Sequence, residues 1–297
     1  MNPRHFAIIV VICLIWAGNT VLSRIIVADL AIPPFFYSTL RFCLVALLLF
    51  PWLRHVPRPF WRILAVSFLI SGVGFGLFIA GMQDATPSSA SIVGQVAVPA
   101  TTLLSVLVLG ETIRWRRITG IALAVIGIII LMYRPGETQA SWGLWLIILS
   151  SLMAAAGVIV IKQMLGVAPL QYQAWTALLS ILPLAGLSWG LESNQWEIAR
   201  MAGWKLVAAL LFVAIMVSIV SHSLYFWVLQ RNDANLVAPL MILNPLFSVI
   251  LGIWITGDQF DLRMSIGAII TLAGVLLILL RPSAVLPLAN AILDRFR

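Results

Sequence analysis

Hydrophobic positions along this chain gather into successive runs of roughly 20 residues, separated by short breaks rich in charge, proline or glycine. Each run is long enough to cross about 30 Å of hydrocarbon as a helix, which satisfies its own backbone hydrogen bonds where no water can. The pattern predicts ten helices, at 6–28, 33–53, 61–81, 87–109, 114–132, 142–163, 169–190, 203–229, 234–256 and 262–281. Composition agrees: 62% of residues are hydrophobic, 9% are charged and the mean hydropathy is +1.08. The expected fold class is an all-α integral membrane protein.

A motif occurs twice within this pattern. Gly110-Glu111, Gly120, Gly127 and Arg134-Pro135 recur as Gly257-Asp258, Gly267, Gly274 and Arg281-Pro282, at an offset of 147 residues throughout. Pro99 and Pro245 precede the two copies with one residue of slippage. The chain reads as a tandem duplication: a first five-helix repeat at 1–136, a second at 137–282, and a short cytoplasmic tail at 283–297. Five is odd, so the second copy enters the membrane from the opposite side and the repeats are inverted.

Charge sets the expected orientation. With both termini in the cytoplasm, Arg4, Arg54, Arg58, Arg62, Arg114, Arg116, Arg117, Lys162, Arg231, Arg281, Arg295 and Arg297 fall on that side. Only Arg24, Arg134, Arg200, Lys205 and Arg263 fall outside, together with Asp29, Glu137, Glu192, Glu197, Asp258 and Asp261. This is the asymmetry of the positive-inside rule. The net charge of +8 is thus topological, and basic residues scattered through short loops give no nucleic-acid stripe.

The first run is too long for a signal peptide and lacks a small-residue cleavage pattern, so it is expected to remain as the first helix. Cys13 and Cys43 lie inside apolar runs, where a small buried hydrophobe is the ordinary role. No predicted loop exceeds about 15 residues, which leaves no room for an extramembrane catalytic or receptor domain. Several tryptophans, among them Trp52, Trp61, Trp115 and Trp142, sit at helix ends as interfacial anchors.

Two inverted five-helix halves, with Gly-Glu or Gly-Asp between the fourth and fifth helix of each, resemble the drug/metabolite transporter superfamily, and its EamA-type branch in particular. Trp16-Ala17-Gly18-Asn19 ending in Arg24, and Ala154-Ala155-Ala156-Gly157 ending in Lys162, look like that family's repeat-opening pattern. The resemblance covers residues 6–281. It implies a carrier in the bacterial inner membrane, among lipids, with a central cavity that opens alternately to either side; ten helices suffice to enclose such a cavity, so a monomer is expected to function. Helices one, three, four, six, eight and nine are expected to line it. By analogy within the branch the implied substrate is a small molecule, an aromatic or other neutral amino acid, exported from the cell.

The residues give candidate sites. Pro99 and Pro245 each remove a hydrogen bond to the carbonyl four residues back, that of Gln95 or Met241, so helices four and nine are expected to kink there. The readings are a hinge at the cavity or a static kink tolerated by neighbours, and Asn244 beside Pro245 favours the first. Ser88, Ser91 and Gln95 share one face of helix four, either lining the cavity or bonding to a neighbouring helix. Gln95 stands out because its amide both donates and accepts, as a zwitterion requires.

Arg41 lies about 12 Å into the second helix by helical rise. A guanidinium at that depth binds a carboxylate, snorkels, or bonds structural carbonyls; the resemblance implies an Arg here irrespective of substrate. His222, within Ser221-His222-Ser223, carries a coupling proton or serves as a neutral hydrogen-bonding ring. Tyr225 follows it, and Asn19 joins the set from the family's opening motif. The candidate substrate-binding residues are therefore Asn19, Arg41, Ser88, Ser91, Gln95, His222, Tyr225 and Asn244, with Pro99 and Pro245 as hinges.

No Asp or Glu lies inside a predicted span, which argues against a purely cationic substrate and for a neutral or zwitterionic one. Glu111 and Asp258 are expected to cap or pair at helix ends. Metal-binding, nucleophile and nucleotide-binding motifs are missing, so no catalytic residue, metal or cofactor is expected and transport is secondary or facilitated. The alternatives are a carrier for another solute, such as a nucleobase, sugar derivative or drug-like compound, and, from a different class, a membrane enzyme or a lipid scramblase.

Overall fold

A computed structural model describes residues 2–54, 56–133, 141–164, 167–232 and 234–280 of the chain. Arg134-Pro135, Arg281-Pro282, Glu137, His55 and the tail at 283–297 lie outside the described residues. Among the described residues, ten apolar helices follow one another: α1 (Pro3–Asp29), α2 (Pro34–Leu48), α3 (Phe60–Gly81), α4 (Pro87–Leu109), α5 (Trp115–Met132), α6 (Trp142–Lys162), α7 (Pro169–Leu191), α8 (Trp204–Leu229), α9 (Leu236–Thr256) and α10 (Leu262–Leu279). All but α2 are long and apolar enough to cross a membrane. The second predicted span is a composite: 15 residues of α-helix, then a 3₁₀ helix at Phe50–Arg54. At about 1.5 Å and 2 Å per residue respectively, the two pieces together cover roughly 30 Å. A short helix, Gln195–Ala202, joins α7 to α8.

The duplicated glycines explain how the halves join. α5 and α10 cross so closely that a methyl group added at Gly120 would lie 2.8 Å from the Gly274 carbonyl oxygen, and one at Gly127 would lie 2.6 Å from that of Gly267. Each Gly-x6-Gly pair therefore packs on its own copy, backbone against backbone. Lipid supplies no hydrophobic drive between helices, so such close van der Waals contact is what holds them.

The motif's other glycines end the preceding helices. Gly110 and Gly257 both adopt φ +67°, a left-handed conformation that terminates α4 and α9. In each copy the next amide, of Glu111 or Asp258, then bonds the carbonyl six residues back, that of Ser105 or Gly252. The one-residue slip between the prolines has a structural cause. Pro99 precedes Gly110 by 11 residues through regular α-helix, whereas Pro245 precedes Gly257 by 12 and the extra residue is taken up by a π-turn at Gly252–Thr256.

Both proline helices are distorted where the missing hydrogen bond predicts. α4 tightens to 3₁₀ at Gly94–Val96, around Gln95. In α9 the α-helix is interrupted at Met241–Ile242. Neighbouring side chains occupy carbonyls beside the kinks: Ser151 Oγ donates to Gly94 O at 3.3 Å, and Cys13 Sγ to Leu240 O at 3.9 Å. Cys13 is buried as expected, but Cys43 is exposed on the outer surface of α2.

Packing differs sharply between the two faces of the bundle. The face opposite the amino terminus is closed by the largest apolar cluster, including Ile26, Tyr37, Ile79, Met82, Ile92, Val93 and Ile147. The amino-terminal face holds a small one, of Ile9, Cys13, Val228 and Val237, and one end of a third that runs along α2 and α7, with Val45, Leu49 and Ala174.

Candidate functional site

The unequal packing leaves a cavity of about 740 Å³ that runs from the middle of the bundle to Met164 and Val167 at the amino-terminal face. Arg41 forms part of its wall and is only 5% exposed. Its Nη2 donates to Ser218 Oγ at 3.2 Å and its Nη1 to Asn19 Oδ1 at 3.5 Å, while the guanidinium carbon lies 4.5 Å from the centre of the Phe75 ring. Nε is buried with no hydrogen-bond partner. Among the described residues, no carboxylate lies within ion-pair distance of Arg41.

The adjoining wall, on α1 and α8, is aromatic and fixed by hydrogen bonds. Trp16 Nε1 donates to Ser221 Oγ at 2.7 Å, and its ring stacks at tilted angles on His222 and Tyr225, with centroids 5.4 and 5.5 Å away. His222 Nδ1 lies 2.7 Å from the Val217 carbonyl oxygen. Facing an acceptor, that nitrogen carries the ring proton in the neutral tautomer. These contacts become available because α8 is a π-helix from Val213 to Ser221, which turns Ser218, Ser221 and His222 inward together. Asn244 lines the cavity beside the α9 kink, and its Oδ1 is buried without a partner.

The structure thus brings Asn19, Arg41, His222, Tyr225 and Asn244 to one cavity. Ser88, Ser91 and Gln95 are not among its lining residues. Ser88 and Ser91 are buried toward the closed face, where Ser88 is held by Asp258 and Ser91 Oγ donates to Ser88 O at 3.0 Å. The expected lining helices change accordingly: α2 and α7 contribute, through Arg41, Phe42, Tyr172 and Gln173, and α4 does not. Its amino-terminal half is enclosed by the apolar cluster instead. Phe75, Ser218 and Ser221 were not singled out by the sequence, although Ser221 flanks His222 in the segment that was.

The two motif acids occupy matched positions with different partners. Asp258, 8% exposed, accepts from Ser88 N at 2.9 Å, Ser88 Oγ at 2.5 Å and Thr256 Oγ1 at 2.7 Å. Glu111 instead pairs with Lys162 Nζ at 3.0 Å, and Lys162 also donates to Ser105 Oγ at 2.8 Å.

Known proteins resemble this chain in sequence and in fold. Over 286 residues the chain is 25% identical to an Escherichia coli protein named probable amino-acid metabolite efflux pump, covering 92% of this chain and 94% of that one. A Salmonella typhimurium protein of the same name is 28% identical at the same coverage. A solved crystal structure superposes with a TM-score of 0.62 at 16% identity, covering 93% of this chain and 96% of that one, which shows the fold alone. The EamA-like transporter family matches residues 5–133 and 141–280, nearly the whole chain. The protein belongs to the EamA-like transporter family and is a membrane transporter, not an enzyme.

Proposed function

We propose that the chain exports zwitterionic metabolites, α-amino acids with apolar or aromatic side chains, by alternating access through the 740 Å³ cavity. The observation that carries this reading is Arg41: a buried guanidinium on a cavity wall with no carboxylate partner among the described residues. Such a cation is expensive in the membrane interior, and a substrate carboxylate would offset that cost with charge-assisted hydrogen bonds. Asn244 Oδ1, an unpartnered acceptor on the same cavity, suits the ammonium, and Trp16, Phe75 and Tyr225 suit an apolar side chain. The names of the two bacterial relatives support the same substrate class.

The excess of Arg and Lys on the amino-terminal side of the bundle supports a cytoplasmic location for that face in the inner membrane. The cavity would then load from the cytoplasm, as an exporter requires. Kinks at Pro99 and Pro245 would let α4 and α9 rock between states.

Uptake of radiolabelled amino acids into proteoliposomes tests the reading. We expect saturable uptake of aromatic or large neutral amino acids, competition by their deaminated carboxylic acids, and none by their decarboxylated amines. Arg41→Gln should weaken the apparent affinity about thirty-fold, the equivalent of a charged hydrogen bond of about 2 kcal/mol. Arg41→Lys should recover only part of it, because a point charge cannot replace the planar fork. Unchanged kinetics in folded Arg41→Gln would overturn the assignment and favour another class of solute.

A further inference from the structure

The internal duplication can be used to read the state that the structure does not show. In an inverted-repeat carrier, contacts made by one half at one face correspond to contacts available to the other half at the other face. Glu111 and Asp258 are matched, as are Ser105 and Gly252, at the 147-residue offset. Lys162, which closes α6, corresponds to Arg24 in α1 by the shared opening pattern. The pair Glu111–Lys162 at the open face therefore has a counterpart, Asp258–Arg24, at the closed one.

That counterpart is not formed. Asp258 is engaged by Ser88, and Arg24 donates to the carbonyl oxygens of Met82, at 2.7 Å, and Gln83. The two side chains nevertheless line one polar cavity of about 290 Å³, together with Asp29, Ser89 and Arg263. Both motif acids reach across to the other half of the molecule, so each contact reports the relative placement of the halves. Gly252 is what lets α9 come close enough for the Ser88 contact: a methyl group there would lie 2.5 Å from Asp258 Oδ2 and 2.7 Å from Ser88 Oγ.

We infer that Asp258 is a gating residue that exchanges partners during transport, holding Ser88 when the external side is closed and Arg24 when it is open. Both partners satisfy the carboxylate, so the exchange never leaves it bare in the protein interior. Breaking the Ser88 contact frees the start of α4 and, with it, the external seal. This rests on the transport cycle and orientation proposed above.

The test measures external access to a cysteine behind the seal. Ser91→Cys, 9% exposed in the closed arrangement and one turn beyond Ser88, is placed in a chain whose Cys13 and Cys43 are replaced by Ala and Ser. Labelling by a membrane-impermeant maleimide is followed in right-side-out vesicles, with folding checked by size-exclusion chromatography. Ser88→Ala and Gly252→Ala should each raise the labelling rate about ten-fold, because both weaken the closed-state contact and leave the Asp258 carboxylate free to meet Arg24. Arg24→Gln should act in the opposite direction, lowering labelling below that of the parent during turnover. Unchanged labelling in the folded Ser88→Ala and Gly252→Ala proteins overturns the proposal, as does Arg24→Gln moving in the same direction as they do. If the responses appear in inside-out vesicles instead, the exchange stands and the orientation is reversed.

Discussion

At the closed face of the bundle, Asp258 is 8% exposed and receives three hydrogen bonds, two of them from Ser88 at the start of α4. At the open face its counterpart, Glu111, meets Lys162 with both side chains about two-fifths exposed. The turn itself is the same in both places, a left-handed glycine and an amide that reaches six residues back, although α4 arrives through regular α-helix and α9 through a π-turn. What differs is which part of the other half lies within reach. The two turns are thus built alike but engaged differently, and the difference in partners follows the arrangement of the halves. The neighbouring cores agree, because the large apolar cluster sits beside Asp258 and the small one at the open end.

The comparison depends on a joint that stays fixed while the ends exchange, and α5–α10 has the contacts for it. The largest expected effect follows from disturbing it. Gly127→Leu would force a bulky side chain into space occupied by the Gly267 carbonyl and the Thr271 side chain, costing at least about 3 kcal/mol. We expect loss of monodisperse protein in size-exclusion chromatography, and not a transporter biased to one state. A folded Gly127→Leu protein that still transports would move the pivot elsewhere.

A smaller effect separates the two kinked helices. α4 passes its kink through a continuous 3₁₀ turn, while α9 is interrupted outright at Met241–Ile242, next to Asn244 in the cavity wall. Pro245→Ala allows the hydrogen bond to the Met241 carbonyl to form. If bending must then break it, about 1 kcal/mol is added to the barrier, or about five-fold in rate. Pro99→Ala should slow transport less, and neither should alter the apparent affinity as much as the rate. Full-speed transport in both variants would discard the hinge and leave the kinks as static features.

The architecture was legible because its causes are local or periodic. Run length gave the spans, and the fixed 147-residue offset gave the repeat along with the glycines that join it. The candidate cavity wall was legible where a polar residue lies within an apolar run, as Arg41, His222 and Asn244 do, and where a motif pointed to it, as for Asn19. Ser88, Ser91 and Gln95 carried an equally clear polar face, but a helix face does not reveal what covers it. The covering group for Ser88, Asp258, is 170 residues away. The π-turns were hidden for a related reason: one added residue per turn leaves no mark in a run that is apolar on every side. The slip between Pro99 and Pro245 was its visible trace.

His222 provides the smallest test and bears on whether the open cavity is also a proton path. Its Nδ1 is committed to the Val217 carbonyl and its ring to Trp16, contacts that fit a ring supporting the aromatic wall. Removing the ring forfeits about 1 kcal/mol of aromatic contact, equivalent to about a five-fold weaker apparent affinity. His222→Gln should therefore raise KM for an aromatic substrate by that factor while leaving the response of uptake to an imposed pH gradient unchanged. Loss of gradient-driven accumulation with exchange of labelled for unlabelled substrate preserved would give the opposite answer. The imidazole would then carry the coupling proton, and the cavity at the open face would serve both substrate and proton.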